Sequence, residues 1–148
     1  MAGKIGVLLV RLAVAGVFLC AGVSKIWDFS RGHSATPAFT VAIQHYKLLP
    51  SPDLAVLLAV YLPWLEVTAA LALFVRRLAV GAATALAGLS VVFLVALGSA
   101  QARSLDISCG CFGKAEAAAD YPALIARDAL LLLAAILLIA RAPKADPS

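Results

Sequence analysis

Residues 54–100 read LAVLLAVYLPWLEVTAALALFVRRLAVGAATALAGLSVVFLVALGSA, two apolar runs that meet at Arg76-Arg77. Leu54–Phe74 and Leu78–Ala100 each have about the 20 residues that a helix needs to cross a bilayer. The few residues between them leave room only for a tight turn, so the two runs form a helical hairpin. Two more runs lie outside this stretch, Ile5–Ile26 and Leu124–Ala140. The expected fold is all-α: a four-helix transmembrane bundle with spans at about 5–26, 54–74, 78–100 and 124–140. No repeat or linker divides the chain, so residues 1–148 are expected to form a single membrane domain.

Composition leads to the same solvent. Apolar residues make 64% of the chain and Asp, Glu, Lys and Arg only 14%, where soluble domains carry roughly half and roughly a quarter. The mean hydropathy is +1.01. A soluble fold of this length could not hide so much apolar surface. The net charge of +4 does not indicate nucleic-acid binding, because the basic residues form no stripe and flank apolar runs instead. Lys4 before the first run raises the question of a signal peptide. The run is too long for one, Arg11 interrupts it, and Leu19 before Cys20 is not the small residue of a lipoprotein site. The first run is therefore read as a retained helix.

Two longer connections remain, residues 27–53 and 101–123. In the first, Phe39, Ile43 and Tyr46 recur at helical spacing, with Leu49 beyond and Gln44, His45 and Lys47 between them. This predicts a short amphipathic helix in the first outward loop, on the membrane surface. The competing reading is an ordinary connector. Leu49-Pro50-Ser51-Pro52 ends the segment. Basic residues set the orientation. Lys4, Arg76, Arg77, Arg141 and Lys144 lie on one side in short segments. Lys25, Arg31, Lys47, Arg103 and Lys114 are spread through the longer connections, among Asp28, Asp53, Asp106, Glu116 and Asp120. The denser side is expected to be cytoplasmic. Both termini then lie inside, and both longer connections face outward. Trp27, Tyr46 and Tyr121 fall near the outer interface, where aromatic belts form.

Charges within apolar runs are costly unless paired. Arg11 lies ~9 Å from the inner end of its run and Glu66 ~12 Å from the inner end of its own, at 1.5 Å per residue. Similar depth and opposite sign predict an Arg11–Glu66 ion pair, structural or beside a quinone or proton path. Lys25–Asp128 or Arg127–Asp28 pairs are expected at the outer rim. Pro63 is expected to kink the second span, and Gly81, Ala85 and Gly88 offer a surface for close helix packing.

The string that bears chemistry is Ile107-Ser108-Cys109-Gly110-Cys111-Phe112-Gly113. Two cysteines around one glycine in an outward loop read as a disulfide on the oxidising side of a membrane. A tight ring of this kind departs from relaxed disulfide geometry, which makes it more reducible. Arg103 and Lys114 are near enough in sequence to favour a thiolate. Three readings stand: a redox-active dithiol, a structural disulfide, and a Cu(I) site on two thiolates. No metal motif extends the pair, and His33 and His45 read as solvated loop residues. Cys20 reads as a packing residue, or else as a third thiol that resolves the loop pair.

Taken together, several motifs resemble one family. They are Arg11, Gly22-Val23-Ser24-Lys25, Tyr46-Lys47-Leu48-Leu49-Pro50, Leu62-Pro63-Trp64-Leu65-Glu66, Cys109-Gly110-Cys111-Phe112-Gly113 and Arg127-Asp128. The chain resembles the methylamine utilisation protein MauE family, among the DoxX-like membrane proteins, over about residues 5–140. The resemblance implies a four-helix bundle in the bacterial inner membrane. It implies a redox-associated role in disulfide formation or maturation of an exported partner, which in methylamine users is the small subunit of methylamine dehydrogenase. Cys109 and Cys111 become the redox pair, with Glu66 and Arg127 as supporting residues. A membrane quinone or a thioredoxin-like protein would take the electrons. The alternatives are a non-enzymatic assembly factor with a structural disulfide and a Cu(I)-binding membrane protein. The chain is also similar to vitamin K epoxide reductase-like enzymes but lacks their Cys-x-x-Cys.

Overall fold

A computed structural model describes residues 2–28, 32–103 and 120–141 of the chain. Four long helices carry the four apolar runs: α1 (Ala2–Ile26), α3 (Pro52–Ala72), α4 (Ala79–Ala102) and α5 (Tyr121–Ala140). A shorter helix, α2 (Thr36–His45), lies in the first long connection. Each long helix has the length and composition to cross a membrane. Their outward faces support this. Leu8, Leu9, Tyr61, Trp64, Val95 and Leu133 are all exposed, an apolar surface far beyond what water-soluble monomers tolerate. This is a multi-pass membrane protein whose outer faces meet lipid.

Local chemistry starts and stops the helices. Pro52 and Pro122 occupy the first turns of α3 and α5, where a missing N–H costs nothing. Asp120 caps α5, its Oδ1 accepting from the Ala123 N–H at 3.3 Å. Between α1 and α2 the chain makes a small antiparallel ladder, β1 (Trp27–Asp28) with β2 (His33–Ser34). Gly32 closes that reversal with φ +68°, a value glycine adopts without the Cβ penalty. The Ala35 N–H then donates to the Ile26 carbonyl, so α2 starts against the end of α1.

The predicted amphipathic helix is present as α2, and it buries Phe39 in the bundle. Its far end is tied down by Arg103 at the end of α4, which donates through Nη2 to the Tyr46 carbonyl at 2.7 Å. The two longer connections thus leave from the same end of the bundle.

One buried cluster fills the other end. It joins Val14, Ala15 and Phe18 of α1, Ala69 and Ala70 of α3, Leu73 beyond it, Ala82, Ala83, Leu86 and Leu89 of α4 and Leu138 of α5. The small residues let backbones approach closely, as lipid-embedded helices require. Among the described glycines the tightest surroundings lie elsewhere, at Gly22 of α1. A Cβ there would stand 2.8 Å from Val67 Cγ2, 3.0 Å from the Pro63 carbonyl oxygen and 3.3 Å from Glu66 Cβ. The expected packing glycines do not play this part, since a Cβ on Gly81 or Gly88 meets nothing within 4 Å.

The Gly22 contact fixes the stagger between α1 and α3. With Gly22 beside Pro63–Val67 and the helices antiparallel, α3 ends alongside roughly Ala15. Arg11 lies about one helical turn farther along α1. α1 and α3 do not begin level, so equal counts from their inner ends do not mean equal depth.

Candidate functional site

The stagger decides the partner of Glu66. Lys25, three residues after Gly22 and therefore on the same side of α1, reaches Glu66 on α3. Its Nζ donates to Oε1 at 2.7 Å and to Oε2 at 2.8 Å. The side chains are 3% and 0% exposed, so this is an ion pair sealed from solvent. The expected Arg11–Glu66 pair is corrected accordingly. Arg11 stands about 21 Å up α1 from Lys25 at 1.5 Å per residue, and its Nε is buried without a hydrogen-bond partner.

The Lys25 ammonium also lies 4.9 Å from the ring centroid of Phe93 on α4 and 5.5 Å from that of Phe39 on α2. Both distances fall within cation–π range. One ammonium group from α1 therefore contacts α2, α3 and α4 together. The rim pair expected between Lys25 and Asp128 does not form, because Glu66 holds the ammonium.

Asp128 is paired with its neighbour. Arg127 Nε and Nη2 both approach Asp128 Oδ1 at 2.9 Å. Successive helix residues do not face each other, so the guanidinium curls back to reach it. Its Nε and Nη2 groups thus fall on one oxygen. Asp128 is 3% exposed, and Oδ2 has no hydrogen-bond partner. The two ion pairs lie within electrostatic reach of each other.

Beside them is a cavity of about 410 Å³. Lys25, Arg127 and Asp128 supply its charged lining, while apolar side chains from all five helices form the rest. Phe18, Phe39, Leu62, Phe93 and Leu131 are among them. A mostly apolar hollow with a few convergent polar groups is the usual form of a small-molecule site.

The candidate residues thus divide. Glu66 and Arg127 are brought into one charged cluster at one end of the bundle. Cys109 and Cys111 lie outside the described residues, in the connection between α4 and α5. Arg103, expected near a thiolate, is occupied by the Tyr46 carbonyl, the Ser99 carbonyl and the Ser99 hydroxyl. Cys20 is exposed on α1, so it is not a packing residue. Among the described residues no cluster of His, Cys, Asp and Glu could hold a metal ion.

The family model described as methylamine utilisation protein MauE matches residues 3–141. The chain belongs to the MauE family. A relative from Paracoccus denitrificans named methylamine utilization protein MauE is 31% identical over 140 residues, covering 93% of this chain and 70% of its own length. No solved structure matches the chain. The MauE match takes in α2 to α5, all of α1 but Ala2, and the cysteine string, and so the whole charged cluster.

The buried parts of the cluster were only partly visible in the sequence. Lys25 and Asp128 looked like rim charges because both stand near the ends of apolar runs. The usable signal was Gly22, one turn before Lys25, where a missing side chain lets α3 approach. Phe39 and Phe93 had no charge or motif to mark them as partners of an ammonium group.

Proposed function

We propose that this MauE-family protein serves methylamine utilisation by assisting disulfide formation in an exported partner, through Cys109 and Cys111. The partner's thiolate attacks one sulfur of the Cys109–Cys111 disulfide, which breaks as a mixed disulfide forms. The partner's second thiolate then displaces that cysteine. The partner gains a disulfide, and Cys109 and Cys111 become thiols. Two electrons and two protons pass from them to a membrane quinone or to the disulfide of a thioredoxin-like protein. This chemistry needs the loop on the outer face of the bacterial inner membrane, with both termini cytoplasmic, the orientation favoured by the dense basic residues at Arg76 and Arg77.

The observation that carries this reading is MauE membership over residues 3–141 together with a Cys-Gly-Cys string between two membrane helices. The cavity adds support for the quinone route. Its apolar wall suits a hydrocarbon tail, and Lys25, Arg127 and Asp128 give it a charged lining. In this reading Glu66 is a positioning residue that fixes Lys25, and Arg127 is the closer of the two to any bound group.

The test is maturation of an exported disulfide protein in cells carrying Cys109→Ser/Cys111→Ser. The expected result is loss of the partner's disulfides. Normal maturation would remove the redox role. A partner variant that keeps only its attacking cysteine should stay joined to this protein as a mixed disulfide, visible as a reducible adduct on a non-reducing gel. Lost function with a disulfide that no reductant or partner opens would point instead to an assembly factor held in shape by that bond.

A further inference from the structure

The cavity and Asp128 carry an inference that does not depend on the cysteines. Asp128 is almost fully buried, lines the cavity, and leaves Oδ2 without a hydrogen bond. A buried carboxylate oxygen with nothing to accept is costly and rare. The neighbouring guanidinium does not relieve it, because its Nε and Nη2 both approach Oδ1. Oδ2 therefore calls for a hydrogen-bond donor.

Charge narrows the donor. Lys25, Glu66, Arg127 and Asp128 sum to zero, so a charged head group would leave an uncompensated charge in a low-dielectric site. The donor should be neutral. The cavity's shape narrows the remainder of the ligand. Its wall is apolar, and about 410 Å³ is ample for a drug-sized molecule. Leu58 on α3 and Val91, Val92 and Val95 on α4 line it and are also exposed. In a membrane those residues face hydrocarbon, so the cavity opens sideways into the bilayer rather than only towards water.

We propose that this cavity binds a neutral, hydroxyl-bearing amphiphile drawn from the membrane, its O–H donating to Asp128 Oδ2 and its hydrocarbon body lying along α3 and α4. The hydroxyl belongs either to an aliphatic lipid alcohol or to a phenolic ring. In the salt-bridged state Oδ2 only accepts, so a ring bearing carbonyl oxygens in place of hydroxyls gains nothing from it.

The full chain, purified in detergent micelles, is incubated with 1-dodecanol, 4-nonylphenol or n-dodecane, and bound molecules are counted by native mass spectrometry. At least one hydroxyl probe should be retained at one per chain, and n-dodecane should not. Retention of 4-nonylphenol without 1-dodecanol identifies a ring source, and the reverse identifies an aliphatic lipid. Asp128→Asn should weaken binding about tenfold, the difference between a hydrogen bond to a charged and to a neutral acceptor. Equal retention of n-dodecane would overturn the proposal by showing that acyl chains merely fill the space. Unchanged binding by a folded Asp128→Asn chain would overturn it too. Should that variant not fold, Ala96→Trp fills the cavity and leaves all four charges in place. It should abolish retention of the hydroxyl probe, and undiminished retention would refute the site. Cys109→Ser/Cys111→Ser must bind as the natural chain does, which separates this result from the fate of the disulfide reading.

Discussion

Removing one partner of the Lys25–Glu66 pair should be the most damaging conservative change in the bundle. Breaking a buried pair costs about 3–5 kcal/mol, because the remaining charge is stranded. The two single changes should not be equal. Glu66→Leu strands an ammonium that still has the faces of Phe93 and Phe39 at 4.9 and 5.5 Å, so its cost belongs near ~3 kcal/mol. Lys25→Met strands a carboxylate whose two oxygens both lose their short contacts, so its cost belongs near ~5 kcal/mol. Replacing both groups removes the charge and its penalty together, and an apolar pair of similar volume is often neutral or better. Lys25→Met/Glu66→Leu should therefore be far more stable than either single variant. The coupling is expected to exceed the ~3 kcal/mol upper end of ordinary contact pairs.

The assay is reversible unfolding in mixed micelles, titrated with sodium dodecyl sulfate and followed by Trp27 and Trp64 fluorescence. The four corners of the Lys25/Glu66 cycle are compared with those of an Arg11→Leu/Glu66→Leu cycle. The second cycle should be additive within ~0.5 kcal/mol, as expected for residues well separated in space. Additivity in the Lys25/Glu66 cycle would refute the pair. Strong coupling in the Arg11/Glu66 cycle would refute the stagger from which the pair follows.

Four further substitutions test the packing and the part played by Cys20. Gly22→Ala forces a Cβ against Val67 and the Pro63 carbonyl, so the same titration should show ~1–2 kcal/mol of destabilisation after the helix-propensity gain is offset. Gly16→Ala, with nothing within 4 Å, should instead gain up to ~1 kcal/mol. Ser90 buries a hydroxyl without a partner, so Ser90→Ala should be neutral or stabilising by up to ~1 kcal/mol, and a loss of that size would mean that the hydroxyl has a partner. Cys20 is exposed on α1, so Cys20→Ala should stay within ±0.5 kcal/mol and leave unchanged the yield of mixed disulfide with a partner that keeps only its attacking cysteine.

The four long helices were legible because a membrane span is a local property: length and apolar content nearly determine it. α2 was legible for a similar reason, as Phe39, Ile43 and Tyr46 repeat at helical spacing. The partner of Glu66 is a different kind of fact. It depends on how far α1 slides along α3, and that slide is set by one missing side chain at Gly22. Hydropathy contains no term for it. Counting depth from the ends of the apolar runs assumed helices that start level, and so chose Arg11. Asp128 stands in the first turns of its span, but its burial comes from the packing of α5 in the bundle, which its place in the apolar run does not reveal.

The two ion pairs place Glu66 and Arg127 in different roles. Lys25–Glu66 joins separate helices, and its ammonium group also touches rings on two more. Its loss would separate elements of the bundle, so it acts on assembly. Arg127–Asp128 joins neighbours on one helix. It crosses no helix interface and can contribute little to holding the bundle together. It nevertheless keeps a carboxylate buried with one oxygen unpaired, an arrangement that costs stability. A bundle built only for stability would have an apolar residue at position 128. The cost is repaid if something that donates a hydrogen bond arrives there from the membrane. A mutational search for function should therefore begin at Asp128 and Arg127, and Lys25 and Glu66 should serve as controls for folding.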